Sequence, residues 1–515
     1  MASEVAISVD NRWTRFVSEY PYDDFIPYWS FSVPGYRFMS SKFKGWDGRI
    51  KLLKRDRVPT GLFLATRKEI QEKLGVRFRI EENFCYPDFR KKIQFKSDKA
   101  HDYQNQCLQK MLKYSRSGGG LILSATGSGK TRTAGLYFAQ LKGYGLFVVD
   151  QLDLLEQAKK EIQSFLGEKV GYVGKSIFKP RRITVATVQT LHLHRKDPRF
   201  QPWLQKIQAS IIDEIHVQLN RSNFDVVADI RPLAVFGLTA TLQLKKKPIR
   251  LKAWSLCGPV IFEFPLKEGQ KRGILSQGIA ARVLYENPDP YSPTGSKNGS
   301  AYGEAKRGSS QLKREKFLFR PHRNRYTYQY NEQIVDNVER NAIISNLARR
   351  FWKKNKHVII LVERIQHLKN LSQRLKDIPH KLVWGGVDVS DRQKYVRKME
   401  SSTLRLIIAN KVFKKGVNIK RVDVIIDAAA GKSQDDAVQK FGRGIRKHDQ
   451  KAGLIYIDIA DHDPEADWIK KENKRIRKLN LIRKKQGKNP IPVIKSNRFH
   501  RAALERTKAF KKAGI

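Results

Sequence analysis

The feature that most constrains this fold is an apolar run at residues 121–123 that breaks into a glycine-rich turn and ends in Lys130 and Thr131. The run has the length of a buried parallel strand, and the residues from Thr131 onward keep helical spacing. The turn therefore lies at a helix N-terminus, where backbone N–H groups and the helix dipole favour an anion. The sequence predicts a phosphate-binding loop.

Each residue of this loop has an expected role toward a nucleoside triphosphate. The glycines let the backbone approach the phosphates, Lys130 reaches the β- and γ-phosphates, and the Thr131 hydroxyl takes a Mg²⁺ position. Upstream, Tyr103 is predicted to stack on adenine. The side-chain amide of Gln104 is predicted both to donate a hydrogen bond to adenine and to accept one from it. The predicted nucleotide contacts from this part of the chain are Tyr103, Gln104, Gly127, Ser128, Gly129, Lys130 and Thr131.

The charge of the chain points to a polyanionic partner. Lys and Arg number 101 against 50 Asp and Glu, which leaves a net charge of +51. Nucleic acid is the first candidate, with binding that weakens in salt. A membrane surface is not expected, because the chain shows no apolar run near eighteen residues and no lipidation signal. The N-terminus lacks the apolar core of a signal peptide, so a cytoplasmic location is expected. The three cysteines are far apart in sequence, which argues against a disulfide framework and a structural zinc.

The alternation of strand and helix patterns predicts two α/β units in tandem, each with a parallel sheet. Residues 286–325 are rich in Pro, Gly and Ser and indicate a linker or a long mobile loop. The strongly basic tail is predicted to be helical, either packed on the second unit as one helix or trailing as a basic arm. The expected domains are 1–97, 98–270, a linker at 271–330, 331–462 and a tail at 463–515.

A second constellation lies at residues 209–216, where an apolar strand ends in two carboxylates. Asp213 is expected to hold Mg²⁺, directly or through water. Glu214, aimed differently, is expected to take a proton from the water that attacks the γ-phosphate. Because ligands of α/β proteins bind at the carboxyl ends of the strands, this pair should face the phosphate loop.

The N-terminal module is dense in aromatic and basic residues. Such interleaving can stack on bases while neutralising phosphates. An ordinary small domain, with aromatics in its core and charges on a solvated face, remains the alternative. The candidate nucleic-acid contacts in this module are Arg37, Lys44, Trp46 and Arg49.

A basic helix is predicted near the end of the second unit, over residues 434–446. Its Arg443 and Arg446 stand at i and i+3, so both should lie on one helical face. They are interpreted as arginine fingers that reach a γ-phosphate held by the first unit. An ordinary surface helix is the alternative.

Residues 125–131, 213–216, 237–241 and 439–446, taken in order, resemble the motif set of the superfamily-two helicases. Ser124 stands where the general phosphate-loop pattern has Gly, which is similar to the variant common in helicases. Within the superfamily, residues 35–38, 45–50 and 59–62 are similar to the small DNA-binding domain of the phage UvsW-like group.

The resemblance implies two RecA-like lobes, ATP and Mg²⁺ as cofactors, and ATP-driven remodelling of branched DNA. It also implies catalytic Gln439, a nucleotide contact at Gly416, and coupling through His216, Thr239 and Thr241. The nucleic-acid contacts that it implies are Gln157, Thr187, Gln189, Thr190 and Lys411. Lys440 stands where many relatives have Arg, and Asn410 where many have Thr or Ser.

Several functions remain open at this stage. The leading hypothesis is a DNA helicase on branched, forked or single-stranded DNA, including fork regression, branch migration and unwinding of R-loops or D-loops. RNA–DNA hybrids are a further expected partner. The alternatives are an RNA helicase, a double-strand translocase subunit of a restriction-type complex, and an ATP-gated module that anneals or clamps strands without net unwinding.

Overall fold

The computed structural model describes residues 3–17, 22–33, 36, 46–90, 100–230, 232–240, 244–286, 322–410, 419–431, 434–462, 470, 473–474, 476–477, 480, 498–513 and 515. The chain divides into two compact units, Met1–Gly269 and Gln270–Ile515. Within the described ranges, no helix has the length and apolarity to cross a membrane.

The N-terminal part of the first unit is a small α+β module. Its sheet has the order β5-β2-β1-β6, in which β1 and β6 run parallel, and β3 pairs with β4 as a separate antiparallel ribbon. Alternate residues of β1, Val5, Ile7 and Val9, are buried, as expected for a sheet with one face covered. The elements are β1 Ser3–Val9, β2 Trp13–Phe16, β3 Ser30–Ser32, β4 Arg49–Lys51, β5 Arg57–Pro59, α1 Thr60–Leu74 and β6 Val76–Glu82.

The remainder of the first unit is an α/β lobe. In the described part of this lobe the strand order is β10-β9-β11-β8-β12-β13-β7-β14, and every pairing is parallel except that of β10 with β9. The strands are β7 Gly119–Ser124, β8 Tyr144–Val149, β9 Gly171–Gly174, β10 Ile177–Lys179, β11 Ile183–Thr187, β12 Ile207–Ile212, β13 Ala234–Thr239 and β14 Val260–Phe264. The helices are α2 Asp102–Tyr114, α3 Lys130–Gln140, α4 Leu152–Leu166, α5 Val188–His194, α6 Gln201–Leu204, α7 Ile215–Gln218, α8 Arg221–Ile230, α9 Lys247–Cys257 and α10 Leu266–Lys271.

The module is built onto this lobe through α9. Leu251 of α9 is buried inside the module's own hydrophobic cluster, and Trp254 packs against it. A Cβ at Gly61 of α1 would lie 2.4 Å from the Trp254 carbonyl oxygen, so only glycine permits this close helix approach. The module and the first lobe therefore share a packed interface.

The second unit is another parallel α/β lobe. Where it is described, its strand order is β15-β20-β19-β16-β18-β17. The strands are β15 Gly278–Glu286, β16 Val358–Leu361, β17 Lys381–Val383, β18 Leu406–Ala409, β19 Val424–Asp427 and β20 Leu454–His462. The helices are α11 His322–Tyr330, α12 Val338–Lys353, α13 Ile365–Arg374, α14 Val389–Glu400, α15 Gln434–Gly444 and α16 Arg498–Ala513, and a π-helical turn covers Asn331–Val335.

The structure differs from the sequence-based division at two places in this unit. Residues 278–286 were assigned to the linker, yet β15 pairs in parallel with β20 over its whole length as an edge strand. An edge strand with half-exposed faces lacks the continuous apolar run that marks a buried parallel strand. The C-terminal tail, whose fate the sequence left open, contributes α16, which packs on α15 and β20.

Candidate active site

The predicted phosphate loop connects β7 to α3. Gly127 and Gly129 have φ of 88° and 78°, in the left-handed region that glycine adopts without steric cost. A Cβ at Gly129 would also lie 2.6 Å from Gln104 Nε2. Lys130 is the first residue of α3, so the loop delivers the lysine directly at the helix N-terminus.

Tyr103 and Gln104 hold this loop from behind. The Tyr103 hydroxyl and Gln104 Nε2 both donate to the Ser128 carbonyl, the latter over 3.2 Å. Tyr103 stacks on Phe264 at 3.9 Å between ring centroids and is 3% exposed, and burial raises its pKa to about 12. The structure therefore gives Tyr103 a contact that positions the loop, while the adenine contacts of Tyr103 and Gln104 stay predictions.

The acidic pair lies opposite the loop at the end of β12. The Asp213 amide donates to the Val148 carbonyl, which ties the pair to β8, and Asp213 Oδ1 accepts from the Glu214 amide at 3.0 Å. Burial and the neighbouring Glu214 charge raise the pKa of Asp213 to about 7. Lys130 Nζ lies 3.9 Å from Glu214 Oε1 and donates to the Ser124 carbonyl. The loop lysine and the acidic pair thus share one site.

Two of the predicted coupling residues join the same site. His216 Nδ1 and Thr239 Oγ1 are 2.9 Å apart, and the Thr239 hydroxyl donates to Glu214 Oε2 over 3.3 Å. His216 Nδ1 is also 3.4 Å from Glu214 Oε2. Since Thr239 ends β13, this triangle links Glu214 to the strand between β12 and β7.

The donor set fits a magnesium ion. A carboxylate at Asp213 and a hydroxyl at Thr131 are hard oxygen ligands, and Mg²⁺ in nucleotide sites uses one or two protein ligands together with phosphates and water. Among the residues that the structure describes, no group of three or more His, Cys, Asp or Glu is arranged to hold a metal. Asp213 and Thr131 are therefore the residues that would hold a nucleotide-bound Mg²⁺.

In the second lobe, the two predicted arginines do not share a helix face. Arg443 lies in α15, but the helix ends at Gly444, and Arg446 forms a β-bridge with Leu275. A Cβ at Gly444 would meet Leu454 at 2.6 Å, and the Gly444 carbonyl accepts from Lys451 Nζ. The helix ends at Gly444 because Leu454 packs closely against it and Lys451 bonds its carbonyl. The prediction of one helix through residue 446 is therefore wrong.

Lys440, on the same helix as Gln439 and Arg443, has a structural partner that the sequence did not indicate. Its Nζ is 2.7 Å from Asp427 Oδ2, and its side chain is 4% exposed. The Tyr456 hydroxyl donates to the same carboxylate oxygen at 2.6 Å. The burial of Lys440 could have been anticipated only from the apolar residues around it in the sequence. Its pairing could not, since its partner is thirteen positions away.

The comparisons with known proteins agree with this architecture. Residues 97–244 match the family model described as "Type III restriction enzyme, res subunit", and residues 339–448 match the "Helicase conserved C-terminal domain". The chain belongs to the superfamily-two helicases. Its two lobes are RecA-like helicase domains, as predicted, and the enzyme class is an ATP-dependent helicase.

Two relatives of this helicase align with most of its length. It is 24% identical over 403 residues to the DNA 3'-5' translocase XPB2 of Sulfurisphaera tokodaii, covering 75% of this chain and 87% of that protein. It is 22% identical over 464 residues to the ATP-dependent DNA helicase uvsW of Enterobacteria phage T4, covering 84% of this chain and 86% of that protein. The crystal structure of T4 UvsW aligns with a TM-score of 0.41 at 16% identity, over 99% of this chain and 97% of that one.

The predicted nucleic-acid residues of the first lobe lie on α4 and α5, which follow β8 and β11. Thr187 caps α5, since its Oγ1 accepts from the Thr190 amide and lies 2.9 Å from Thr190 Oγ1. Gln189 is exposed, and its Nε2 donates to the Asp150 carbonyl at 2.8 Å. Gln157 is partly buried on α4. These residues border the carboxyl ends of adjacent strands.

In the N-terminal module, Trp46 is 38% exposed and its Nε1 donates to the Arg49 carbonyl at 3.0 Å. Arg49 is exposed on β4 and lies near Lys247 at the start of α9. Burial, followed by the charges of Arg49 and Arg250, lowers the pKa of Lys247. Arg49, Lys247 and Arg250 are therefore basic residues near one another where the module meets the first lobe, with Glu69 also close to Lys247. The predicted residues Arg37, Lys44, Thr241, Lys411 and Gly416 lie outside the described residues.

Proposed function

We propose that this helicase uses ATP and Mg²⁺ to translocate on DNA and to remodel branched junctions. The observation that carries the proposal is the packed interface between the N-terminal module and α9, which brings the exposed Arg49 near Lys247. A helicase motor contacts a strand chiefly through phosphates, which carry no information about junctions. A second basic surface fixed to the first lobe would hold another arm of the same junction.

In the hydrolysis reaction, each residue acts on the bound nucleotide through its own chemistry. ATP supplies the phosphoanhydride bond, and Mg²⁺ neutralises phosphate charge. Lys130 offers its ammonium to the β- and γ-phosphates, while Thr131 and Asp213 would hold the metal. Glu214 takes the proton of the attacking water, and it is suited to do so because Thr239 and Lys130 orient its two oxygens.

The remaining assignments concern the second lobe and the coupling of hydrolysis to movement. We assign Arg443 and Arg446 to the charge that develops on the γ-phosphate, Gln439 to the same step and Gly416 to nucleotide contact. His216, Thr239 and Thr241 couple the nucleotide state to the strand. The proposed nucleic-acid contacts are Arg37, Lys44, Trp46, Arg49, Gln157, Thr187, Gln189, Thr190 and Lys411.

The charge pair at the module interface provides the test. In the full chain, Arg49→Gln should lower the preference for forks and four-way junctions over single strands by roughly 3- to 10-fold, since it removes one phosphate contact. The slope of log affinity against log salt should become shallower by about 0.9. Arg77→Gln, at an exposed position on β6, is the matched control. Equal behaviour of the two variants would contradict the junction-binding role of the module.

RNA is the second candidate substrate, since some relatives carry the name ATP-dependent RNA helicase. Comparing ATPase stimulation by single-stranded DNA, duplex, forked DNA, Holliday junction, RNA and RNA–DNA hybrid distinguishes the two. We expect the largest stimulation from branched DNA, and a maximum with RNA would overturn that choice. A strand-displacement assay with hydrolysable and non-hydrolysable ATP separates unwinding from ATP-gated annealing.

A further inference from the structure

The turn that follows β19 leads directly toward α15, the helix that carries Arg443. This turn consists of residues 428–431, and Ala430 within it has a φ of 50°. A non-glycine residue in the left-handed region is costly and persists where its surroundings hold it. Ala430 is also buried, at 4% exposure. The turn must therefore be held in place by neighbouring side chains.

Among the described residues, side chains from three helices donate to the carbonyls of this turn. Arg340 Nη1 of α12 donates to the Ala428 carbonyl at 3.0 Å, and the Tyr330 hydroxyl of α11 donates to the Ala429 carbonyl at 2.7 Å. Arg506 Nη1 of α16 donates to the Gly431 carbonyl at 2.7 Å. Each contact comes from a different part of the sequence, and all converge on one turn.

Arg506 is itself fixed by β20. Its Nε donates to Asp458 Oδ1 at 2.8 Å and its Nη2 to the Ile459 carbonyl at 3.4 Å, while the whole residue is 2% exposed. A planar guanidinium can bond a carboxylate and a carbonyl at once in a fixed geometry. Arg506 therefore connects the strand β20 rigidly to the Gly431 end of the turn.

The other end of the turn is tied to α15. Asp427, immediately before the turn, pairs with Lys440, which lies one helical turn before Arg443. Helix α16, which carries Arg506, also contacts α15 directly, since the ring centroids of Phe510 and Phe441 are 6.3 Å apart. A displacement of the turn would accordingly shift the helix that presents Arg443.

We propose that Arg506 is a positioning residue for ATP hydrolysis: through the turn at 428–431 it sets the orientation of α15 and thereby of Arg443. The proposal rests on the role assigned to Arg443 under the proposed function. It also gives a task to α16, which lies beyond the residues 339–448 that match the helicase C-terminal model. Helix α16 would thus position α15 within the second lobe, in addition to contributing basic residues.

The test compares two arginines of α16 in the full chain. Arg506→Met should lower the kcat of the nucleic-acid-stimulated ATPase by about 10- to 100-fold, because a displacement near 1 Å of a catalytic group can have that effect. The KM for ATP and the salt dependence of DNA binding should stay near their starting values. Arg501→Met, at an exposed position on the same helix, is the matched control and should change none of these.

Two further variants separate positioning from folding. Arg506→Met leaves Asp458 without its buried partner, so Asp458→Asn combined with Arg506→Met removes both charges, and kcat should still be low because the Gly431 carbonyl has lost its donor. Arg506→Lys should recover part of the rate, since an ammonium reaches one of the two acceptors. Titration with a non-hydrolysable ATP analogue gives the active fraction for each variant.

The combination of Arg443→Ala with Arg506→Met decides whether Arg506 acts through Arg443. If it does, the combined variant loses no more kcat than Arg443→Ala alone. Additive losses, or a kcat for Arg506→Met equal to that of Arg501→Met, would overturn the inference while leaving the role of Arg443 intact. A normal kcat for Arg443→Ala would instead overturn the proposed function of that arginine.

Discussion

The ends of two central strands, β12 in the first lobe and β19 in the second, make an instructive comparison. Asp213 and Glu214 follow the end of β12, and Asp427 is the last residue of β19. A lysine lies near the carboxylates in each lobe. Lys130 approaches Glu214 only to 3.9 Å in the first lobe, whereas Lys440 contacts Asp427 at 2.7 Å in the second. The carboxylates at the end of a central strand are therefore weakly paired with a lysine in the first lobe and closely paired with one in the second.

The difference appears in the pKa of the two carboxyl groups. Burial and Glu214 raise the pKa of Asp213 to about 7. At Asp427 burial also acts to raise the pKa, but Lys440 and Arg506 outweigh it, and the pKa falls well below its usual range. Weakly compensated carboxylates suit a site that receives a cation and a phosphate, while fully compensated ones suit a structural role. Charge pairing, and not strand position, therefore separates the proposed catalytic cluster from the structural one.

The largest effect should come from breaking the first cluster. Glu214→Gln keeps the shape of the side chain but removes its basicity, so kcat should fall by roughly 10² to 10⁴. ATP affinity and thermal stability should change little, because Glu214 is only loosely paired with Lys130 in the folded chain. Steady-state ATPase rates, ATP binding and thermal melting check these three quantities. Turnover near the starting value would remove Glu214 from the role of general base.

The matched change in the second cluster should act on stability instead. Asp427→Asn leaves Lys440 buried without its partner, and the local free energy of unfolding should fall by about 3–5 kcal/mol. Since the folded-state pKa is lowered, this contribution is present above the ordinary carboxyl pKa and is lost as pH falls through the folded pKa. Hydrogen exchange of β19 and β20 amides measures the loss.

A control variant tests the charge argument for this cluster. Asp427→Leu combined with Lys440→Met removes both charges and should restore most of the protection, because no buried charge is left unpaired. If Asp427→Asn exchanged as slowly as the original protein, the ion pair would be energetically neutral and the contrast between the lobes would fail.

A smaller, pH-dependent effect is expected from His367 on α13. The imidazole is fully buried, its Nε2 lies 2.8 Å from Asn341 Oδ1, and burial followed by the Arg340 charge lowers its pKa to about 3. The unfolded chain takes up a proton near pH 6.5 that the folded chain does not. Stability of the second lobe should therefore fall by about 1.4 kcal/mol for each pH unit below 6.5, until about pH 3.

Substitution isolates this contribution from that of the carboxylates. His367→Gln should flatten the pH dependence of stability by that slope, measured by denaturant unfolding from pH 7 to 5. His192→Gln, at an exposed position on α5, should leave the pH dependence unchanged. Identical pH profiles for the two variants would show that folding does not lower the pKa of His367.

Much of the first lobe could be predicted because its information is local. The apolar run before Gly127, the glycines themselves and the strand before Asp213 are contiguous patterns, and the carboxyl ends of parallel strands bring them together. The convergence of Lys130, Glu214 and Thr239 follows from strand order alone. The role of Tyr103 did not follow, because its occupied ring face depends on Phe264, far away in sequence.

The sequence by itself determined the two RecA-like lobes, the phosphate loop and the acidic pair, since each is written in residues that are neighbours along the chain. Only the tertiary structure decided that Arg446 leaves the helix, that residues 278–286 join the second sheet, and that Arg506 reaches Asp458 across forty-eight positions. The physical reason is the distance along the sequence over which each kind of interaction acts. Backbone conformation responds to nearby residues, whereas the pairing of a buried charge depends on which distant side chain the fold brings within hydrogen-bonding distance.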